Sequence, residues 1–314
     1  MSALDWLLDS DTDPAIRWQA MRDLTDANAA EVAAERSRVA HEGWGGRLLS
    51  LQGADGRWDG GAYRPGWASE ELEFFDAWTA THFSLRTLTE LGADPMDDDL
   101  QAALDRVRSG VRWWPDGPGY FDGETEPCIN GLVLANGAYF GEDVGALAAR
   151  VAGEALPDGG WNCWAEFGAT VSSFHTTICV LEGLLAAEVA GHGSAEIAAA
   201  RAGGEEYLLE RSLYKRRSTG EVIDPRFTML SSPNRWYYDI LWGLDYLRRA
   251  RPERDPRCAD AIELLRRKQQ PNGLWAQENV HQGATFFGLD NPEGNPSPWL
   301  TLRALRVLRW WDAS

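Results

Sequence analysis

The sequence predicts an all-α fold, and three observations carry that prediction. Nearly every segment with a hydrophobic period repeats at helical spacing, and no convincing set of alternating strands accompanies it. Segments apolar on nearly all sides, such as INGLVLANGAYF and TTICVLEGLL, alternate with amphipathic ones such as CADAIELLRRKQ. Between the helical segments a short Gly-Trp turn keeps returning.

The elements follow in chain order. Asp13 is placed to cap a helix, Pro14 suits its first turn, and Ile16, Met21 and Leu24 give it an apolar side. Further helices are expected in AWTATHFSLRTLTELG, INGLVLANGAYFG, SSFHTTICVLEGLLAAE, RWYYDILWGLDYLRRA and CADAIELLRRKQ. The last helix opens with Ser297 as cap and Pro298 after it, with Leu302, Leu305, Leu308 and Trp311 near helical spacing. Asp97-Asp98-Asp99 reads as a cap with first-turn charges that complement a helix dipole. The turns are Gln52…Gly56-Arg57-Trp58, Pro157-Asp158-Gly159-Gly160-Trp161 and Gln270-Pro271-Asn272-Gly273-Leu274-Trp275. Weaker copies lie at Trp114-Pro115-Asp116-Gly117 and Ser218-Thr219-Gly220-Glu221. Spacings of 61, 42, 61 and 53 residues between successive copies are the size of two helices with their loops, so the unit is a helical hairpin. A small number of long units favours closure into a ring over an open solenoid. No Pro/Ser-rich linker divides the chain, which reads as one domain over 1–314, with 1–40 as N-terminal helices packed on a ring formed by 41–314.

Composition excludes several functions. The 30 Lys+Arg against 48 Asp+Glu give a net charge of −18, the wrong sign for a nucleic-acid surface. With 44% hydrophobic and 25% charged residues, the chain has ordinary globular usage. No run approaches the roughly 18–20 apolar residues of a membrane span, and the acidic start MSALDWLLDSD lacks the basic region of a signal peptide. The four cysteines show no C-x-x-C spacing and no dense framework, so they are expected as thiols, metal ligands or buried small residues in the cytoplasm. The 16 Trp are the compositional outlier.

The Gln…Gly-x-Trp turns at Gln52 to Trp58 and Gln270 to Trp275 resemble the QW motifs of the squalene–hopene cyclase family, over roughly residues 40–311. That resemblance implies a single (α/α)6 toroid, the architecture those cyclases share with protein prenyltransferase β-subunits. The cyclases' acidic D-x-D-D-T-A signature has its nearest match in Phe174 to Leu184, where His175 and Thr176 stand in the acid positions. Protonation-initiated cyclisation is therefore not expected. Phe174-His175-Thr176 is closer to the prenyltransferase helix start whose His binds zinc, and Glu126-Pro127-Cys128 stands where that family has D-x-C. The resemblance thus implies Cys128, His175 and Glu126 as zinc ligands. Cys163, in the turn before the His175 helix, completes the metal set from its own chemistry: two thiolates and an imidazole leave a fourth position for Glu126, water or a substrate sulfur. The alternative is buried small cysteines and a core or capping histidine.

Arg235, Trp236, Tyr237, Tyr238 and Asp239 open another helix that reads as an inner one. Arg235 suits a diphosphate or carboxylate, and Tyr237 with Asp239 suits acid/base work if burial shifts them. The alternative is an i,i+4 Arg235–Asp239 pair with core aromatics. His82, one turn after Trp78, is a candidate acid/base or supporting residue, or a buried core histidine. Arg303, Arg306 and Arg309 read as a solvated stripe. With Trp58, Trp161 and Trp275 assigned to turns, the pocket candidates are Trp78, Trp164, Trp236, Tyr238 and Trp242. The resulting expectation is a terpene-cyclase/prenyltransferase-like enzyme acting on an apolar, isoprenoid-like small molecule in an aromatic-lined cavity, with Zn2+ as its metal. Two rivals stay open. One is an (α/α)6 glycoside hydrolase or lyase pairing Asp239 with Glu70, Glu71 or Glu166; the other is a non-catalytic toroid binding a small molecule or a protein.

Overall fold

The computed structural model describes residues 2–68 and 77–313, so Glu70 and Glu71 lie outside the described residues. Within them the chain is all-α, with no strand and only isolated bridges. The helices are α1 (Ala3–Leu7), α2 (Pro14–Leu24), α3 (Ala29–Arg36), α4 (Gly43–Leu49), α5 (Thr81–Leu91), α6 (Asp98–Gly110), α7 (Pro127–Tyr139), α8 (Gly145–Gly153), α9 (Phe174–Val189), α10 (Ala195–Leu209), α11 (Ile240–Ala250), α12 (Ala259–Arg267) and α13 (Pro298–Asp312). Among the described residues no helix is long and apolar enough to cross a membrane.

Caps fix several starts. The Asp13 carboxylate accepts from Ala15 N–H, Asp97 from the N–H groups of Asp99 and Leu100, and the Ser297 hydroxyl from Leu300 N–H. α11 begins later than its periodicity suggests. Residues 234–239 are not helical, and Asp239 is the cap.

The Gly-Trp turns are one structural module in three copies. Trp58, Trp161 and Trp275 have no solvent exposure. Each donates its indole N–H to the carbonyl ten residues earlier, in the last turns of the preceding helix: Leu48 at 2.7 Å, Val151 at 2.8 Å and Leu265 at 2.8 Å. Each also donates its backbone N–H to a threonine hydroxyl near the start of the next long helix. Those acceptors are Thr81 at 3.2 Å, Thr177 at 3.1 Å and Thr301 at 3.1 Å. Gly56, Gly159 and Gly273 turn the chain with φ of 82°, 98° and 83°, the left-handed region that favours glycine. Gln52 braces its loop through Gly56 O, and in the third copy Gln269 does so through Gly273 O. Gln270, the glutamine of the sequence motif, instead donates its backbone N–H to Leu274 O at 2.8 Å. The two weaker copies are different objects, turns closed by the bridges Arg112–Gly119 and Lys215–Val222.

The chain divides into two compact units, Met1–Glu124 with His281–Leu289 and Thr125–Val280 with Asp290–Ser314. In the second unit α7 and α9 pack at glycines. A Cβ on Gly131 would sit 2.5 Å from Cys179 O, and one on Gly183 would strike Gly131 O. Contacts advance together along both helices, Gly131 against Cys179 and Leu134 against Gly183, so the pair is parallel. α9 and α11 are parallel as well, since His175 meets Tyr238 and Glu182 meets Trp242 and Arg249. α10 runs antiparallel to α9: Tyr207 reaches Ser172 O, and Arg201 pairs with Glu188. α7, α9 and α11 therefore begin at one end of this unit.

Candidate functional site

The shared N-terminal end of α7, α9 and α11 gathers most of the sequence candidates. Glu126 precedes α7 as its cap residue without a side-chain capping bond, and Cys128 stands in the first turn. Cys163 lies in the loop ahead of α9, with its N–H donating to the Thr176 hydroxyl at 3.3 Å. Cys128 and Cys163 are joined as a disulfide with Cα atoms 6.2 Å apart, which corrects their expectation as thiolate metal ligands or buried thiols. Cys179 and Cys258 are buried thiols outside that disulfide. Glu126 Oε2 lies 3.7 Å from Cys128 Sγ, and one ligand atom from each of Glu126, Cys128 and Cys163 falls within 4.8 Å of the others. Three of the four expected metal ligands are thus together.

His175 is not part of that grouping. Tyr238 N–H donates to His175 Nδ1 at 2.8 Å. A lone pair on Nδ1 facing a donor places the proton of the neutral ring on Nε2, where a metal would need a lone pair. Burial, followed by the Arg226 charge, pushes the His175 pKa down to about 4, so the ring is neutral at pH 7. Three rings stand edge-on to it: Phe227 at 5.4 Å, Trp236 at 5.4 Å and Tyr237 at 5.8 Å between centroids. Trp236 and Tyr237 stack on each other at 3.8 Å. Burial raises the Tyr237 pKa and Arg226 partly offsets it.

Asp239 is buried and its carboxylate is engaged by three donors. Oδ1 accepts from Trp242 N–H at 2.9 Å, and Oδ2 from Ser231 N–H at 3.0 Å and Asn234 Nδ2 at 2.8 Å. Burial raises its pKa and these bonds lower it, so its observed work is to cap α11 and hold the 231–239 turn. Arg235 is buried in that turn with φ of 57°, and because the turn is not helical its spacing from Asp239 confers no shared helix face. Tyr238 donates its hydroxyl to Leu213 O, and Trp242 its indole N–H to Glu182. Both are core residues. Trp164 is 70% exposed and Glu166 is exposed on the same loop.

Trp78 and His82 belong to the first unit. Trp78 is buried, donating to Gln282 O at 2.7 Å. His82 is buried beside the Tyr120 hydroxyl at 3.2 Å, and burial pushes its pKa down to about 3. The arginine stripe is corrected at two of its three residues: Arg309 is exposed, but Arg306 is buried and Arg303 donates to Asn234 Oδ1 at 2.7 Å. Behind the turn lies a polar network the sequence did not signal. Ser232 N–H donates to Gln277, and Asp290 accepts from Ser297 and is lifted by burial to about 6. Its members are scattered from 231 to 303 with no common spacing.

No protein-family model matches the chain, and no curated protein matches it.

Proposed function

We propose that the chain is a terpene-cyclase/prenyltransferase-like enzyme acting on an apolar, isoprenoid-like small molecule, bound in the second unit where α7, α9 and α11 begin. The observation that carries this reading is the aromatic wall of Phe227, Trp236 and Tyr237 around His175, at the same helix ends as the Glu126–Cys128–Cys163 group. Aromatic faces stabilise developing positive charge on a hydrocarbon skeleton by cation–π attraction. The Gly-x-Trp modules, two of them with the Gln of the cyclase motif, support a relationship to the cyclase toroid, as the three copies share one set of clamping bonds.

The donor set fits zinc in the reduced chain. Two thiolates and a carboxylate leave one position of a tetrahedral shell open, whereas the disulfide form offers no thiolate. The reducing cytoplasm would maintain the thiols. Bound there, zinc would act as a Lewis acid in place of the missing cyclase carboxylates. Glu126, Cys128 and Cys163 would hold it, and His175 would remain a neutral neighbour.

Two measurements test the reading. Elemental analysis of protein reduced and dialysed against zinc is expected to find about one zinc per chain. Cys128→Ser with Cys163→Ser should abolish it, and equal metal content in the variant removes the metal site. Incubation with farnesene, farnesol and farnesyl diphosphate, followed by mass spectrometry, should show binding or conversion of at least one. Failure of all three removes the isoprenoid reading.

A further inference from the structure

Three facts about His175 do not depend on a metal. Its Nδ1 is occupied by the Tyr238 backbone donor, so the neutral imidazole presents Nε2–H. Nε2 has no hydrogen-bond partner among the described residues, and it is not among the buried orphaned atoms, so solvent reaches it. The ring is held on its flanks by Phe227, Trp236 and Tyr237. A fixed donor within an apolar wall is a device for orienting a single acceptor atom.

The charges nearby decide what kind of acceptor. Arg226 is the cation whose charge His175 feels most, and it is already engaged by Asp224: Nε lies 3.1 and 3.0 Å from the two carboxylate oxygens, and Nη2 2.6 Å from one. That ion pair is neutral as a unit, and the neutral imidazole adds no charge. A diphosphate would therefore meet a donor but no uncompensated cation in this pair, and would lose its hydration against aromatic rings. An uncharged oxygen has no such penalty.

We propose that His175 is a hydrogen-bond donor to an uncharged oxygen, an alcohol, ether or carbonyl, on the apolar ligand, and that it is not a metal ligand. This names the substrate class of the site proposed above and rests on that reading. The role needs no bond to form or break: Nε2–H donates and keeps its proton.

The test uses the full-length reduced protein with farnesol, farnesene and farnesyl diphosphate as probes, followed by tryptophan fluorescence and by 15N-histidine NMR. The expected result is a His175 Nε2–H tautomer in the free protein, unchanged by one equivalent of zinc, whose Nε2–H signal moves when farnesol binds. Farnesol should bind at least about tenfold more tightly than farnesene and than the diphosphate. In His175→Phe that preference over farnesene should vanish, while His175→Gln, which keeps an N–H donor, should retain most of it. An Nδ1–H tautomer, or a zinc-induced change of tautomer, overturns the inference without any ligand. Diphosphate or hydrocarbon binding as tight as the alcohol overturns it while leaving the isoprenoid reading standing. Binding of none of the three removes that reading and this inference together.

Discussion

Asp239 and His175 take their roles from hydrogen-bond donors in the 231–242 segment. Asp239 receives one donor from three residues ahead and two from residues five and eight behind it, which turns a candidate base into a cap. His175 is defined by a backbone N–H that lies 63 residues away in the chain. His82 offers a pH test at the same scale. Its pKa falls from 6.5 to about 3 on folding, burial being the main cause. Between those values the unfolded chain binds a proton that the native chain does not, so stability drops as pH falls through this window. The slope from this one residue is up to about 1.4 kcal/mol per pH unit. His175 acts in the same direction down to about 4, whereas Asp290, lifted to about 6, acts in the opposite one. Comparing wild type with His82→Gln isolates the term. Urea titrations between about pH 4 and 6 should show a slope smaller by about 1.4 kcal/mol per unit in the variant. An unchanged slope would contradict a histidine buried neutral.

Three Gly-x-Trp turns stand out in the sequence because a glycine and a large aromatic two residues on are local features, whereas the two weaker copies lack the clamp. The threonine that completes each clamp lies 16 to 26 residues further on and gave no signal until the helices were placed. Thr177→Val keeps the shape and removes the hydroxyl, leaving Trp161 N–H buried without an acceptor. The expected cost is about 1–3 kcal/mol in chemical denaturation, and the same holds for Thr81→Val and Thr301→Val. A threonine that could be replaced without loss would remove the clamp from the stabilising elements. Gly131→Ala tests the α7–α9 contact, where the new methyl would meet the backbone at Cys179. Overpacking against main chain should cost about 1–3 kcal/mol, and a neutral effect would show that the two helices can separate freely. α4, α8 and α10 have no clear signal in the sequence, and α10 shows why. Its Ala-rich, Gly-containing stretch AEIAAARAGGEEYLL has little apolar periodicity, and tertiary packing decides its state.

For the molecule as a whole, fold class was the most legible property, because helical periodicity recurs in segment after segment. The second unit then brought Glu126, Cys128, Cys163, His175, Trp236 and Tyr237 to the end where α7, α9 and α11 begin, from positions more than a hundred residues apart. No local pattern could show that the two cysteines would face each other or that the imidazole would turn its proton-bearing nitrogen outward. The central claim is that this end of the second unit receives an apolar isoprenoid-like molecule. Photolabelling with a diazirine-bearing farnesol, followed by peptide mapping, tests it most directly. Label that unmodified farnesol displaces should fall on residues 163–175 and 226–238. Displaceable label confined to Met1–Glu124, or label that farnesol does not displace, would contradict the account.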